Sequence, residues 1–330
     1  MTGDSGGAVE TLLMTLAVIA ASLSAGCLVR RVVGESGEPA LAALRRRMQL
    51  VALFGCMPLS AMLSLWGLPA PDVRLLALPA LGVASWAAGG LFALLAARLL
   101  RLDRRQTGSM FCCGTFTNIG ALGGLVSVLY LGEGSIALVA LYRLCEDFYY
   151  FGVGLPVARR YGAEAATPET GRRKGRVLAG GPVLAGVLAA LALGVLLNWQ
   201  GVPRPAWCGP LASGTMLLAT VLFLTAVGMS LRLSRVGLYT RQWMSVAAIK
   251  FCCTPAVVCS LGWWAGLGAV DGGLPLKTVL IVSCMPVAMN ALVPPSLYHL
   301  DLDMANTCWL CTTAALIVIL PLLLLALPCI

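Results

Sequence analysis

Apolar residues run along this chain in long blocks, and short arginine-rich clusters separate several of them. Ten blocks predict helices: Val9–Val29, Met48–Leu68, Leu75–Leu100, Gly108–Leu131, Gly134–Ala158, Val177–Trp199, Pro210–Leu231, Met244–Ala269, Thr278–Leu300 and Met304–Cys329. A run of about 20 apolar residues matches a hydrocarbon core about 30 Å thick. Outer-membrane barrels are excluded, because their strands alternate with a period of two. The predicted fold class is therefore an all-α membrane protein with ten transmembrane helices, here called spans 1 to 10.

Two spans are interrupted. Span 4 holds Asn118 beside Gly120, Gly123 and Gly124, and span 9 holds Asn290 between Pro286 and the pair Pro294–Pro295. The two asparagines lie about half the chain apart. Glycine and proline weaken or break helix, and broken helices at corresponding places in two halves point to the binding site of a secondary transporter. Freed backbone at membrane depth is tolerated only where it is buried in protein or lines a wet cavity. Half-helix N-termini can hold an anion, and half-helix C-termini suit a cation. Asn118 and Asn290 offer both donors and acceptors at the crossing of the two spans.

The basic residues alternate between loops. Arg30, Arg31 and Arg45–Arg47 follow span 1; Arg101, Arg104 and Arg105 follow span 3. Arg159, Arg160, Arg172, Arg173, Lys174 and Arg176 follow span 5; Arg232, Arg235 and Arg241 follow span 7. The opposite loops carry only Arg74, Arg204, Lys277 or none. The positive-inside rule then places both termini outside and the rich loops in the cytoplasm. The turn after span 9, with Asp301 and Asp303, gives no vote. The hydrophilic stretch between Arg159 and Arg176 divides the chain into a first five-helix half (1–160), a basic cytoplasmic linker (161–176) and a second five-helix half (177–330). An odd number of spans per half makes any repeat an inverted one, with spans 4 and 9 crossing.

Composition agrees: 59% of the residues are hydrophobic and only 11% charged, against roughly a quarter charged in soluble domains. The net charge of +9 does not indicate nucleic acid, because the basic residues sit in short loops, where they set topology and meet anionic headgroups. The first span lacks a preceding basic region, so a cleaved signal is not expected. Most of the 13 cysteines lie inside apolar spans and read as small packing residues, the Cys308-x-x-Cys311 pair included. Neither a metal nor a cofactor is called for.

Charges inside spans are costly and mark function. Span 5 carries Arg143 with Glu146 and Asp147 at the i+3 and i+4 positions, so one acid is neutralised and the other is left to take a proton; which is which stays open. Lys250 in span 8 is a further intramembrane charge, a partner for an acid or an anionic substrate. His299 reads as a solvated cap at the end of span 9, and Trp199, Trp207, Trp263 and Trp264 as interfacial anchors. No metalloprotease, nucleophile-elbow or Walker motif is present, and the chain does not read as an enzyme.

These residues resemble the auxin efflux carrier family of membrane transport proteins. The family's span 4 is similar to N-x-G-x-x-G-x-P followed by a G-E-G turn; here stand Asn118, Gly120, Gly123 and Gly132-Glu133-Gly134, with Leu125 where the family often has proline. Its span 9 resembles M-P-x-A-x-N-A-L-V, present as Met285-Pro286, Ala288 and Asn290 to Val293. Gly228–Leu231, Lys250 and Pro255 are also similar. The resemblance implies inverted five-helix repeats, a span 4–span 9 crossover at the substrate site, elevator-like motion, and organic anions such as auxin or dicarboxylates as cargo. It assigns substrate contact to Asn118 and Asn290. The implied partners are a small carboxylate and membrane lipids, with no nucleic acid, and a homodimer as the assembly to consider; the implied location is the plasma membrane. Two other readings remain open: a cation/proton antiporter using Glu146 and Asp147, and a receptor that binds ligand without moving it.

Overall fold

The computed structural model describes residues 5–34, 37–67, 72–162, 181–229 and 236–329. Among them the fold is almost entirely helical, without strands; one isolated antiparallel bridge joins Thr117 and Val287. The linker between the halves lies outside the described residues from 163 onward.

The first half is built from α1 (Ser5–Val33), α2 (Glu38–Val51), α3 (Met57–Trp66), α4 (Ala77–Leu99), α5 (Arg104–Thr115), α6 (Gly124–Leu131), α7 (Gly134–Tyr142), α8 (Glu146–Tyr149) and α9 (Leu155–Tyr161). The second contains α10 (Gly181–Trp199), α11 (Cys208–Gly228), α12 (Thr240–Ala248), α13 (Thr254–Trp264), α14 (Leu274–Ser283), α15 (Val293–Leu297), α16 (Leu302–Ala314) and α17 (Leu316–Ala326). Among the described residues four helices are long and apolar enough to cross a membrane, through the stretches Leu16–Val33, Val73–Leu99, Cys208–Gly228 and Gly237–Trp264. Helix α16 and the segment Leu316–Cys329, bent by 46° to each other, pass the same test when taken together. The chain is an integral membrane protein.

Most of the remaining expected spans are interrupted, and proline explains much of the pattern. Wide π turns at Ala52–Cys56, Tyr150–Gly154 and Ile249–Cys253 each run directly into a helix with proline in its first turn, at Pro58, Pro156 and Pro255. Proline donates no hydrogen bond and its ring presses on the carbonyl four residues back. In all three cases that carbonyl lies within the wide turn, which opens the helix enough to admit the ring. A fourth wide turn, Ile119–Gly123, has no proline after it and opens at glycines instead.

Two expectations change. Arg45, Arg46 and Arg47 do not sit in a loop but belong to α2, which starts well before the predicted span. Span 5 is not one continuous helix: α7 stops at Tyr142, and Arg143 to Cys145 turn before α8 opens at Glu146. The long apolar run hid the break, because nothing in Leu141–Cys145 is a strong helix breaker.

Packing pairs the halves. α1 lies along α11 and α10 along α3, while α3 also meets α11. Small residues permit the closest crossings: a side chain at Gly228 would strike the backbone of Leu23 and Gly26, and one at Gly194 the carbonyl of Met62. On the other side of the bundle α4 packs on α5 and α13, and α12 on α16. The buried core around Phe116, Tyr150, Val287 and Trp309 sits between these layers, at the point where the two interrupted spans meet.

Candidate functional site

The two broken spans cross. After α5 the chain is extended at Phe116, and after α14 it is extended at Ala288. The amide N–H of Asn118 donates to the carbonyl of Pro286 at 2.9 Å, and that of Ala288 donates to the carbonyl of Phe116 at 3.0 Å. The crossing thus satisfies some of the backbone groups that both breaks release, as membrane depth demands. Side chains from three other spans take up more of them. Val287 N–H donates to Thr312 Oγ1 at 3.3 Å, and Thr220 Oγ1 donates to the carbonyl of Ala121 at 3.1 Å. Tyr150 Oη donates to the carbonyl of Asn290 at 3.1 Å, and its ring packs on Phe116 with centroids 4.9 Å apart. Gly154 leaves room for that Phe116 ring. Tyr150 therefore grips both broken segments from span 5.

Asn118 caps the turn that follows it, its Oδ1 accepting from Leu122 N–H at a long 3.4 Å. Gly123 packs close to Val282 and Met285 of span 9. Gly120 has a sharper role: a Cβ there would collide with the guanidinium of Arg143 and press on Met57. The glycine is what lets Arg143 lie against the first broken segment.

Arg143 and Glu146 face each other across the break in span 5. Nε and one terminal nitrogen of Arg143 donate to the same Glu146 oxygen, at 2.9 and 2.8 Å. The other terminal nitrogen reaches Met57 Sδ at 3.3 Å. The second Glu146 oxygen accepts from Asn290 Nδ2 at 3.4 Å. The ion pair expected at the i+3 spacing is thus formed, and it is tied to the second broken segment. Asp147 belongs to α8, but its side chain lies outside the described residues.

Lys250 is fully buried, and its Nζ donates to Thr117 Oγ1 at 2.7 Å. It sits in the wide turn that Pro255 imposes on span 8. Thr117 stands just beyond the last residue of α5, so the ammonium meets the negative end of that helix. Snorkelling does not describe it.

Of the residues singled out from the sequence, Asn118, Gly120, Gly123, Pro286, Asn290, Arg143, Glu146 and Lys250 all reach the crossing or touch a residue of it. Tyr150, Thr117 and Met57 were missed. Tyr150 follows Glu146 by one helical turn, which was the available signal; Thr117 and Met57 had none, since each acts through a contact distant in sequence. No protein-family profile matches the chain, and no characterised protein matches it in sequence.

Proposed function

We propose that the chain is a secondary carrier of small organic anions, of the kind the auxin efflux carrier resemblance implies. A carboxylate would bind where spans 4 and 9 cross and would move by an elevator-like displacement of the crossing against the layer of spans 1, 2, 6 and 7. The observation that carries this reading is the antiparallel crossing at Thr117 and Val287 with an arginine laid against it. Both continuing segments, from Ile119 and from Met289, begin at the crossing and present N-terminal ends there, which favours an anion. The exchange of partners between halves, α1 with α11 and α10 with α3, is what two inverted repeats would produce. In this reading both termini face outward across the plasma membrane.

Purified protein in proteoliposomes tests it. Carboxylate should be taken up over protein-free vesicles, and Asn118→Ala or Asn290→Ala should abolish the uptake. Currents driven by Na⁺ or Li⁺ alone, and lost in Glu146→Gln or Asp147→Asn, would replace the carrier with the cation/proton antiporter. Carboxylate binding without flux would make the protein a receptor.

A further inference from the structure

We infer that Glu146 is a tethered carboxylate occupying the anion seat of the crossing, and that a proton on Glu146 releases Arg143 and Asn290 to a carboxylate from solution. The inference rests on the carrier reading and goes beyond it by naming the seat and its coupling.

Glu146 is held as a substrate carboxylate would be. One oxygen takes two N–H donors from the Arg143 guanidinium, and the other takes the Asn290 amide of the second broken segment. A guanidinium fork is the side chain best shaped for a carboxylate. Arg143 is also under-used: its remaining terminal nitrogen points at the thioether of Met57, a weak acceptor. A ligand carboxylate would improve on that contact.

Asn290 supplies an independent observation. Its Oδ1 is buried and has no hydrogen-bond partner among the described residues. An ionised Glu146 can only accept, so the amide must turn its Nδ2 toward the acid and leave Oδ1 unmatched. Protonated Glu146 carries the missing donor. A half-turn of the amide then sets Oδ1 on the Glu146 O–H and moves Nδ2 to the place Oδ1 held, converting that place from acceptor to donor.

Charge balance makes the coupling tight. With Glu146 ionised and no ligand, Arg143 and Glu146 sum to zero. With a proton on Glu146 and a ligand carboxylate on Arg143, the sum is again zero. Ligand without proton, or proton without ligand, leaves a net charge in the membrane interior, which is costly. The charged groups described on the neighbouring elements do not change this sum. Lys250 approaches from span 8 and is held by Thr117. α4, which brings Trp86 against Tyr149, carries no charge before Arg98, and α3 carries none. Asp147 is the neighbouring acid. The proton and the anion therefore cross together, in the same direction.

The test uses the full chain in proteoliposomes and follows uptake of radiolabelled acetate, lactate and benzoate over protein-free vesicles, from about pH 6 to about pH 8, where these probes stay ionised as carboxylates do. Uptake is read because one proton with each monoanion moves no net charge. Taking up one proton with each anion makes the half-saturating concentration rise about tenfold per pH unit wherever free Glu146 is ionised. Glu146→Gln imitates the protonated acid, since its amide can both accept from Arg143 and donate to Asn290; its pH profile should be flat. Proton uptake by the wild-type protein in weak buffer, one per carboxylate bound, gives the same answer without a variant. Carboxylate uptake with a flat wild-type profile and no proton uptake would overturn the latch and leave the carrier standing. No carboxylate uptake at any pH would overturn the carrier and the latch with it.

Discussion

At the scale of single residues, the fully buried Lys250 is a costly group. An ammonium taken out of water must be compensated, and a single hydroxyl 2.7 Å away is its one hydrogen-bond acceptor among the described residues. Removing the charge and removing its partner should therefore act in opposite directions. Lys250→Met replaces a buried cation by an apolar side chain of similar length, an exchange that is often neutral or stabilising. Thr117→Val leaves the ammonium in place and strips its acceptor, at a cost of about 1–3 kcal/mol. Thermal unfolding in detergent should show the melting temperature of the lysine variant held or raised and that of the threonine variant lowered. Both should lose transport, because both disturb the negative end of α5 at the crossing. Equal losses of stability would mean that the contact is incidental. Lys250, Arg143 and Glu146 were legible in the sequence because charge in an apolar run is conspicuous. Thr117 was not, because a threonine in a membrane helix satisfies itself locally far more often than it serves a residue of the other half.

At the scale of elements, the prolines explain what the hydrophobic pattern could not. Long apolar runs gave the all-helical class, but a run of Leu, Val and Ala has the same appearance whether or not a helix is continuous through it. Both crossover breaks were readable, from Asn118 with its glycines and from Asn290 with its prolines. The break at Arg143–Cys145 carries no such mark; it follows from tertiary contacts, with the carbonyl of Tyr142 pressed against Gly82 and Arg143 turned toward Gly120. The wide turn around Lys250 is a direct product of Pro255. A π turn holds one residue more than an α turn, and closing it would rotate the preceding segment by about 100°. Pro255→Ala restores the missing N–H and permits that closure. The variant should be at least as stable as the natural protein, since proline is the poorest helix former, yet transport should fall sharply as Lys250 swings away from Thr117. A melting temperature measured beside carboxylate uptake checks this, and a stable variant with undiminished uptake would show that the register of Lys250 does not matter.

At the scale of the whole molecule, the loops collect on two faces. Arg104 donates to the carbonyl of Arg160, Arg105 to that of His299 at 2.7 Å, and Tyr239 to Asp301. These contacts bring together the connections that follow spans 3, 5, 7 and 9. The last of them, uninformative by charge alone, is assigned to the arginine-rich face by its neighbours. The opposite face gathers the connections after spans 2, 4, 6 and 8: Arg204 pairs with Glu133, Asn198 Nδ2 donates to the carbonyl of Trp66 at 3.0 Å, and Gly266 abuts Arg74. The exposed tryptophans Trp199, Trp207, Trp263 and Trp264 stand at helix ends on this arginine-poor face, as an aromatic belt at one interface would require. Charge bias and tryptophan placement thus divide the molecule along the same line, and the cytoplasm should lie on the arginine-rich side. Fusions made after Arg241 and after Ile330 test that orientation in a bacterial host. The first should give a fluorescent green protein and an inactive alkaline phosphatase, and the second the reverse. The opposite pattern at both positions would invert the whole protein in the membrane. The same pattern at both positions would be incompatible with a final span, because α16 and the bent α17 would then fail to carry the chain across.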